Sequence, residues 1–141
     1  MNFFKRICLL TASMIFLFGL TFQLLCNEAS AEDKKLKAGF IYVGPVGDYG
    51  FSHAHDQGRK FAESKLPWLE TVIIESVTDA DCSRIIDRLI QEQKCDVVFA
   101  TSFGYMDATL AAGQRYPDKK FMHCSGFKNL PNVGTYFGDL Y

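Results

Sequence analysis

The sequence predicts an α/β fold, a doubly wound parallel sheet that forms a single lobe. Apolar runs of strand length alternate with segments of helical pattern, and three of those runs end in short turns built from Gly, Ser and an aromatic residue. A chain of 141 residues is long enough for one domain but not for two. The β-α-β-α-β-α-β order favours parallel strands joined by right-handed crossovers. The expected strand order is 2-1-3-4-5, with the topological switch point between strands one and three.

The first half of the lobe contains two predicted strands and the helix between them. Residues 38–43 form a continuous apolar run that ends at a Gly-Pro pair, which is typical of a buried strand. A helix is expected over residues 52–65, ending before a proline. Residues 70–77 are rich in β-branched side chains and indicate the second strand. The side chains of this helix that we expect to face the sheet are Ala54, Phe61 and Ala62.

The second half of the lobe repeats this alternation. Residues 78–81 supply candidate N-caps in one threonine and two aspartates, and the helix that follows places one apolar stripe against the sheet. Residues 96–100 indicate the third strand, residues 106–116 a helix that ends before a proline, and residues 120–123 the fourth strand. Residues 132–137 are short and aromatic and predict a fifth strand. The apolar stripe of the middle helix consists of Ile85, Ile86, Leu89 and Ile90.

The turns that follow three of the strands are the candidate binding region. They span residues 44–51 (the first turn), 101–105 (the second turn) and 124–127 (the third turn). If the strands are parallel, these turns lie along one edge of the sheet, where open α/β sheets hold their ligands. Small residues let the backbone approach a ligand closely, and aromatic rings offer faces for stacking. The turns therefore predict recognition of a small, flat, largely neutral molecule.

Individual side chains in these turns have a binding interpretation and a structural one. Asp48 can accept hydrogen bonds from sugar hydroxyls or an exocyclic amine, or it can cap a turn. Phe51 and Phe103 stand at equivalent places on two turns and can stack on a ring, or they can act as hydrophobic staples. Ser102 and Ser125 do not stand in a Gly-x-Ser-x-Gly motif, so ligand hydrogen bonding or turn chemistry is favoured over nucleophilic catalysis.

Several other functions find little support in the sequence. The first turn lacks both the G-x-G-x-x-G spacing and a basic residue, which disfavours phosphate binding. On a helix, His53 and His55 point about 200° apart and cannot share a metal ion, while Asp56 can pair with Lys60 on a solvated face. The net charge of −1 and the lack of a basic stripe give no support for nucleic-acid binding. The alternative from another class is a small secreted hydrolase that uses His53, His55 or Ser102.

The N-terminus has the features of an export signal. Lys5 and Arg6 precede an apolar segment over residues 7–25, and residues 29–31 (Ala-Ser-Ala) match a cleavage site. We therefore expect residues 1–31 to be a signal peptide and residues 32–141 to form an extracytoplasmic lobe. The alternatives are an uncleaved membrane anchor and lipid attachment at Cys26. Three cysteines would remain after cleavage, and we expect them to be buried single thiols without a metal, because no Cys-x-x-Cys spacing occurs.

Residues 37–56, 101–107 and 132–137 resemble the basic membrane protein (BMP) family, the solute-binding components of ABC importers with a type I periplasmic-binding-protein fold. The resemblance runs from Lys37 to Tyr141. It implies reversible capture of a purine nucleoside or related base and delivery to a membrane permease, with no cofactor and no covalent chemistry. It further implies that Phe51, often Trp in this family, stacks on the base. The remaining residues that the resemblance places in the pocket are Asp48, Ser52, Ser102, Phe103 and Gly126.

The family differs from this chain in length. Its members are longer, and their second lobe supplies an opposite stacking aromatic and further polar contacts. The resemblance therefore implies that residues 32–141 are the N-terminal lobe of a truncated or fragmentary protein, completed by a downstream segment or by another polypeptide. With one wall of the cleft missing, a ligand would stay exposed to water and its affinity would fall.

Overall fold

The computed structural model describes residues 35–138, and the expected signal peptide lies outside the described residues. Five strands and three longer helices follow one another in the predicted alternation. Two short 3-10 turns, Val46–Asp48 and Phe103–Tyr105, precede the first and third of these helices. Within the described residues no helix is long and apolar enough to cross a bilayer. In chain order the elements are β1 (Leu36–Ile41), α1 (Phe51–Lys65), β2 (Leu69–Ile74), α2 (Cys82–Gln91), β3 (Val97–Ala100), α3 (Met106–Arg115), β4 (Lys120–Cys124) and β5 (Val133–Tyr136).

The five strands form one parallel sheet in the order β2-β1-β3-β4-β5, which confirms the predicted fold class and strand order. The register aligns the carboxyl ends of the central strands. Ile41 of β1 is opposite Ala100 of β3, and Ala100 is opposite His123 of β4. Because these positions are level, the three turns that follow them lie along the same edge of the sheet, as expected.

Helices α2 and α3 pack beside each other over one face of the sheet and build the hydrophobic core. The predicted apolar stripe of α2 is buried, from Ile85 to Ile90. It packs against strand residues such as Ile41, Val98 and Phe121, all fully buried. Burial of such aliphatic and aromatic side chains stabilises the fold by about 1.5–3 kcal/mol each. As expected, the thiols of Cys82, Cys95 and Cys124 are buried and form no disulfide.

Helix α1 faces the sheet with a different surface from the one expected. Phe61 is 66% exposed, so the prediction that it faces inward is wrong. Ala54 is exposed and Ala62 is half-buried, and both line a groove between α1 and the sheet. The buried residues of α1 are Ser52 and Asp56. The apolar pattern was misleading at Phe61 because the helix contacts β2, and Tyr42 just after β1, through a polar network.

The centre of that network is the carboxylate of Asp56, which is 1% exposed. Its oxygens accept hydrogen bonds from Arg59 Nε and Lys60 Nζ, both at 2.8 Å. The expected pairing with Lys60 is thus present, but Asp56 is buried and not on a solvated face. Arg59 Nη1 also donates to Thr71 Oγ1 of β2 at 2.6 Å and to Glu63 at 2.9 Å. These bonds fasten α1 to the edge strand of the sheet.

Burial alone would raise the pKa of the Asp56 carboxyl, because a charged group is poorly solvated in the interior. The hydrogen bonds from Lys60 and Arg59 outweigh this effect and hold the pKa of Asp56 below its ordinary value. The nearby Tyr42 hydroxyl, 3.5 Å from Asp56 Oδ1, has a raised pKa, mainly through burial and then through the adjacent carboxylate. Asp56 is therefore a carboxylate at neutral pH and Tyr42 is a neutral phenol.

Candidate functional site

The first turn is held in place by three polar contacts. Ser52 Oγ accepts a hydrogen bond from the Gly44 N–H at 3.0 Å. His53 Nδ1 lies 2.9 Å from the carbonyl oxygen of Val46, and because a carbonyl can only accept, the ring nitrogen donates. The Val46 N–H in turn donates to Glu75 Oε2 at 2.9 Å, beyond the end of β2. The turn thus has a defined position relative to both β1 and β2.

Two of the predicted site residues contribute to this turn geometry. Asp48 is exposed, and its Oδ1 accepts a hydrogen bond from the Gly50 N–H at 2.8 Å, which is the turn-capping interaction considered above. Ser52 is 2% exposed, with its oxygen directed to the backbone of the first turn. Tyr49 was not among the predicted residues. It has a left-handed backbone conformation (φ 57°) and a highly exposed ring 4.9 Å from the ring of His53.

Aromatic side chains connect the second and third turns. Phe103 is 57% exposed and Phe127 is 70% exposed, and their ring centroids are 6.4 Å apart with planes inclined by 32°. We call this pair the aromatic wall. Phe103 was predicted as a site residue, whereas Phe127 was noted in the third turn but not selected. The available signal was its position directly after a Ser-Gly pair at the end of a strand.

The backbone below the aromatic wall is organised around His123. Its Nε2 lies 2.7 Å from the carbonyl oxygen of Ser102, which is half-buried in the second turn. Gly126 of the third turn lies so close to the same ring that a Cβ at this position would collide with Nδ1. The need for glycine at Gly126 therefore comes from the imidazole beneath it, a cause that the sequence did not indicate.

Phe51, predicted to stack on a ligand, begins α1 and is half-exposed. Its ring meets the ring of His55 edge-on, with centroids 4.6 Å apart, and the ring of His55 lies 6.1 Å from that of Tyr136. Burial lowers the pKa of His55, which favours the neutral imidazole. Phe51 and His55 thus form one wall of a groove that runs between α1 and the sheet.

This groove has a volume of about 510 Å³ and is largely apolar. Its floor includes Phe40 and Phe99, which stack with ring centroids 4.5 Å apart and planes inclined by 3°. Phe137, after β5, is exposed at its border. The sheet face opposite α2 and α3 thus presents aromatic side chains that α1 does not cover.

The geometry bears on the hydrolase and metal-site alternatives as well. The ring nitrogen of His123 contacts the backbone carbonyl of Ser102, not its hydroxyl, and His53 is bonded to the carbonyl of Val46. Within residues 35–138 there is no group of three or more His, Cys, Asp or Glu side chains that could hold a metal ion. These contacts assign structural roles to two of the three histidines of the chain.

An open parallel sheet with aromatic-bearing turns at its carboxyl edge has the architecture of one lobe of a two-lobed α/β protein, and this edge is where such sheets commonly hold ligands. Solved structures share this lobe. An ABC transporter solute-binding protein from Conexibacter woesei has a TM-score of 0.63 and 17% identity, covering 72% of this chain and 35% of that one. A solute-binding protein of an ABC transporter system from Aeropyrum pernix has a TM-score of 0.65 and 19% identity, covering 72% and 28%. At these identities the likeness shows the fold.

The family model for PnrA-like ABC transporter substrate-binding proteins (Bmp) matches residues 35–140, and the chain belongs to this family. The resemblance noted in the sequence is thereby confirmed. A purine-binding protein of Brucella abortus is 41% identical over 119 residues, covering 83% of this chain and 34% of the relative. A Haloferax volcanii protein named for glucose binding by an ABC transporter is 37% identical over 111 residues, covering 79% and 28%. The chain thus spans about a third or less of the length of these relatives.

Proposed function

We propose that this lobe reversibly binds a purine nucleoside or a related base at the carboxyl edge of its sheet, as part of an exported solute-binding protein that serves an ABC importer. The observation that carries the proposal is the set of exposed aromatic rings on turns at that edge, namely Phe51, Phe103 and Phe127. Exposed flat aromatic faces suit stacking on a planar heterocycle. The purine-binding name of the Brucella abortus relative supports the same class of ligand.

The proposed roles follow from the position of each side chain. Phe51 stacks on the base, and Asp48 accepts hydrogen bonds from ligand hydroxyls or an amine, while its Oδ1 also caps the first turn. Ser102, Phe103 and Gly126 line the ligand from the second and third turns. Ser52 accepts a hydrogen bond from the Gly44 N–H and so holds the first turn in place.

A single lobe leaves one side of such a ligand in water. We propose that a second lobe, from sequence downstream or from another polypeptide, completes the clamp, and that the closed form delivers its ligand to a membrane permease. The greater length of the relatives supports this arrangement. The proposed location is extracytoplasmic, after export directed by residues 1–31. No cofactor or covalent step is part of the mechanism.

The test is a thermal-melting experiment with adenosine, guanosine, inosine, hypoxanthine and glucose, each at millimolar concentration because a single lobe binds weakly. A ligand at 100 times its Kd stabilises the folded state by about 2.7 kcal/mol, and we expect at least one purine to raise Tm. Glucose is included because of the Haloferax volcanii relative. A rise with glucose and none with any purine would overturn the purine assignment.

The matched control for this experiment uses two exposed phenylalanines of α1. Phe51 begins the helix at the carboxyl edge, and Phe61, 66% exposed, lies ten residues further along, or about 15 Å away. We expect Phe51→Ala to abolish the purine-dependent rise in Tm and Phe61→Ala to leave it intact. Purine turnover that is lost on substitution of His55 or Ser102 would instead establish the hydrolase.

A further inference from the structure

His123 is a buried polar side chain that the proposed ligand contacts do not use. It is the fourth residue of β4 and is 1% exposed. Its Nε2 lies 2.7 Å from the carbonyl oxygen of Ser102. Because that oxygen can only accept, Nε2 carries the proton and donates. The other ring nitrogen, Nδ1, has no hydrogen-bond partner among the described residues.

We propose that His123 is a positioning residue that sets the relative placement of the second and third turns and thereby aligns the aromatic wall. The carbonyl of Ser102 belongs to the same peptide unit as the N–H of Phe103, so a short bond to that carbonyl orients the start of the second turn. This inference deepens the proposed function and rests on it for the claim that the wall contacts a purine.

The third turn meets the other side of the same imidazole. Gly126 lies over Nδ1 with no room for a side chain. Ser125 takes a left-handed backbone conformation (φ 67°), and its N–H donates to the Tyr136 carbonyl at 2.9 Å, which leads the chain across the ring. A left-handed serine is uncommon and is retained where its surroundings require it. One ring therefore contacts both turns, one through a hydrogen bond and the other through steric contact.

A role in packing alone explains these features poorly. An apolar residue would fill the same space without burying an unpaired nitrogen, which is unfavourable in the interior. The feature that an apolar residue would lose is the hydrogen bond to Ser102. This comparison indicates that the bond is the reason for a histidine at the end of β4.

Substitution of His123 by glutamine or asparagine distinguishes the effect of the hydrogen bond from the effect of burying a polar side chain. The side-chain nitrogen of glutamine is four bonds from Cα, as is Nε2 of histidine, and it can donate to the Ser102 carbonyl. The side-chain nitrogen of asparagine is three bonds from Cα, as is Nδ1, and it falls short. His123→Gln therefore retains the contact and His123→Asn removes it, while both bury a neutral amide.

The primary readout is the carbonyl ¹³C resonance of Ser102 and the amide resonance of Phe103 in the isotopically labelled full chain. We expect His123→Gln to keep both near their wild-type positions and His123→Asn to shift both. In the melting experiment with guanosine, we expect His123→Asn to weaken binding about five- to tenfold, the size of one lost hydrogen bond, and His123→Gln to restore most of it.

Equal resonance positions in the two variants would overturn the proposal, because His123 would then only fill space. If His123→Asn does not fold, the test rests on the Ser102 carbonyl resonance of His123→Gln. A resonance near its wild-type position supports the proposal, and a displaced resonance refutes it. Failure of the proposed function looks different. The wild-type chain would then show no purine-dependent rise in Tm, while the resonances would still report on the role of His123.

Discussion

Replacement of the buried carboxylate in Asp56→Asn is expected to lower the free energy of unfolding by about 2–4 kcal/mol at pH 7. Loss of one partner from a buried ion pair costs about 3–5 kcal/mol. The value here is lower, because Arg59 keeps its bonds to Glu63 and Thr71 and because Lys60, 57% exposed, is stabilised by solvent. The stability is nevertheless not fully retained, because the side-chain NH2 group of the new asparagine is a donor that faces a cationic donor and cannot accept its hydrogen bond.

The effect depends on pH in a defined direction. The pKa of Asp56 is lower in the folded state than its ordinary value. The charged carboxylate therefore stabilises the fold at pH values above the unfolded pKa of about 3.9, and this stabilisation is lost as the pH falls through the lower folded pKa. We expect the difference between wild type and Asp56→Asn to be constant from about pH 5.5 to 7 and to shrink below about pH 4.

Urea denaturation measures this difference without the ionic screening that guanidinium adds. Trp68, the single tryptophan, precedes β2 and reports unfolding by fluorescence. With an m-value of about 2 kcal/mol/M, the midpoint should fall by about 1–2 M. The control is Lys60→Met, which removes an exposed partner and should cost less than about 1 kcal/mol. A loss of under about 0.5 kcal/mol for Asp56→Asn, or a difference that does not change with pH, would refute the reasoning.

Three further predictions concern packing, binding and reactivity. Gly58→Ala should stabilise α1 by about 0.5–1 kcal/mol, because open space surrounds the new methyl group. In Gly113→Ala the new methyl group collides with Val133 of β5, which should cost about 1–3 kcal/mol. The urea midpoints of the two variants should therefore move in opposite directions. Phe51→Ala should weaken purine binding by about 1–3 kcal/mol, and unchanged affinity by calorimetry in a two-lobe protein would contradict stacking. Burial raises the pKa of Cys82 to about 12 and that of Cys95 to about 11, so peptide mass spectrometry should find both unlabelled by iodoacetamide at pH 8 until urea unfolds the chain.

The sheet and the three longer helices of the described residues could be predicted from local sequence patterns. The parallel sheet followed from the alternation of strands and helices with right-handed crossovers, and the expected strand order was a common one for doubly wound sheets. The stripe of α2 followed from its regular apolar spacing. The extent of α1 was predicted as well, but the side chains that it buries were not. Its buried face carries Asp56, and the burial of a carboxylate is possible only because Arg59 and Lys60 are there to neutralise it.

The candidate site was predictable in outline but not in its supporting contacts. The three turns and the exposed rings of Phe51 and Phe103 follow from the sequence, and their roles toward a ligand stay predictions. The partner of Phe103 is Phe127, and the contact between His123 and Ser102 joins residues 21 positions apart. No local pattern encodes such a pair, because it depends on how β3 and β4 are aligned.

The amino-acid sequence by itself determined the class of fold, the edge of the sheet at which the turns gather and the family to which the chain is similar. The fold class and the position of the turns depend on periodicity, on strand and helix length and on the order of elements, whereas the similarity to the family rests on the motifs at residues 37–56, 101–107 and 132–137. The tertiary structure decided which face of α1 is buried, why position 126 must be glycine and what the imidazole of His123 contacts. Those features depend on distances between groups remote in the chain, and such distances exist only once the strands have paired in register.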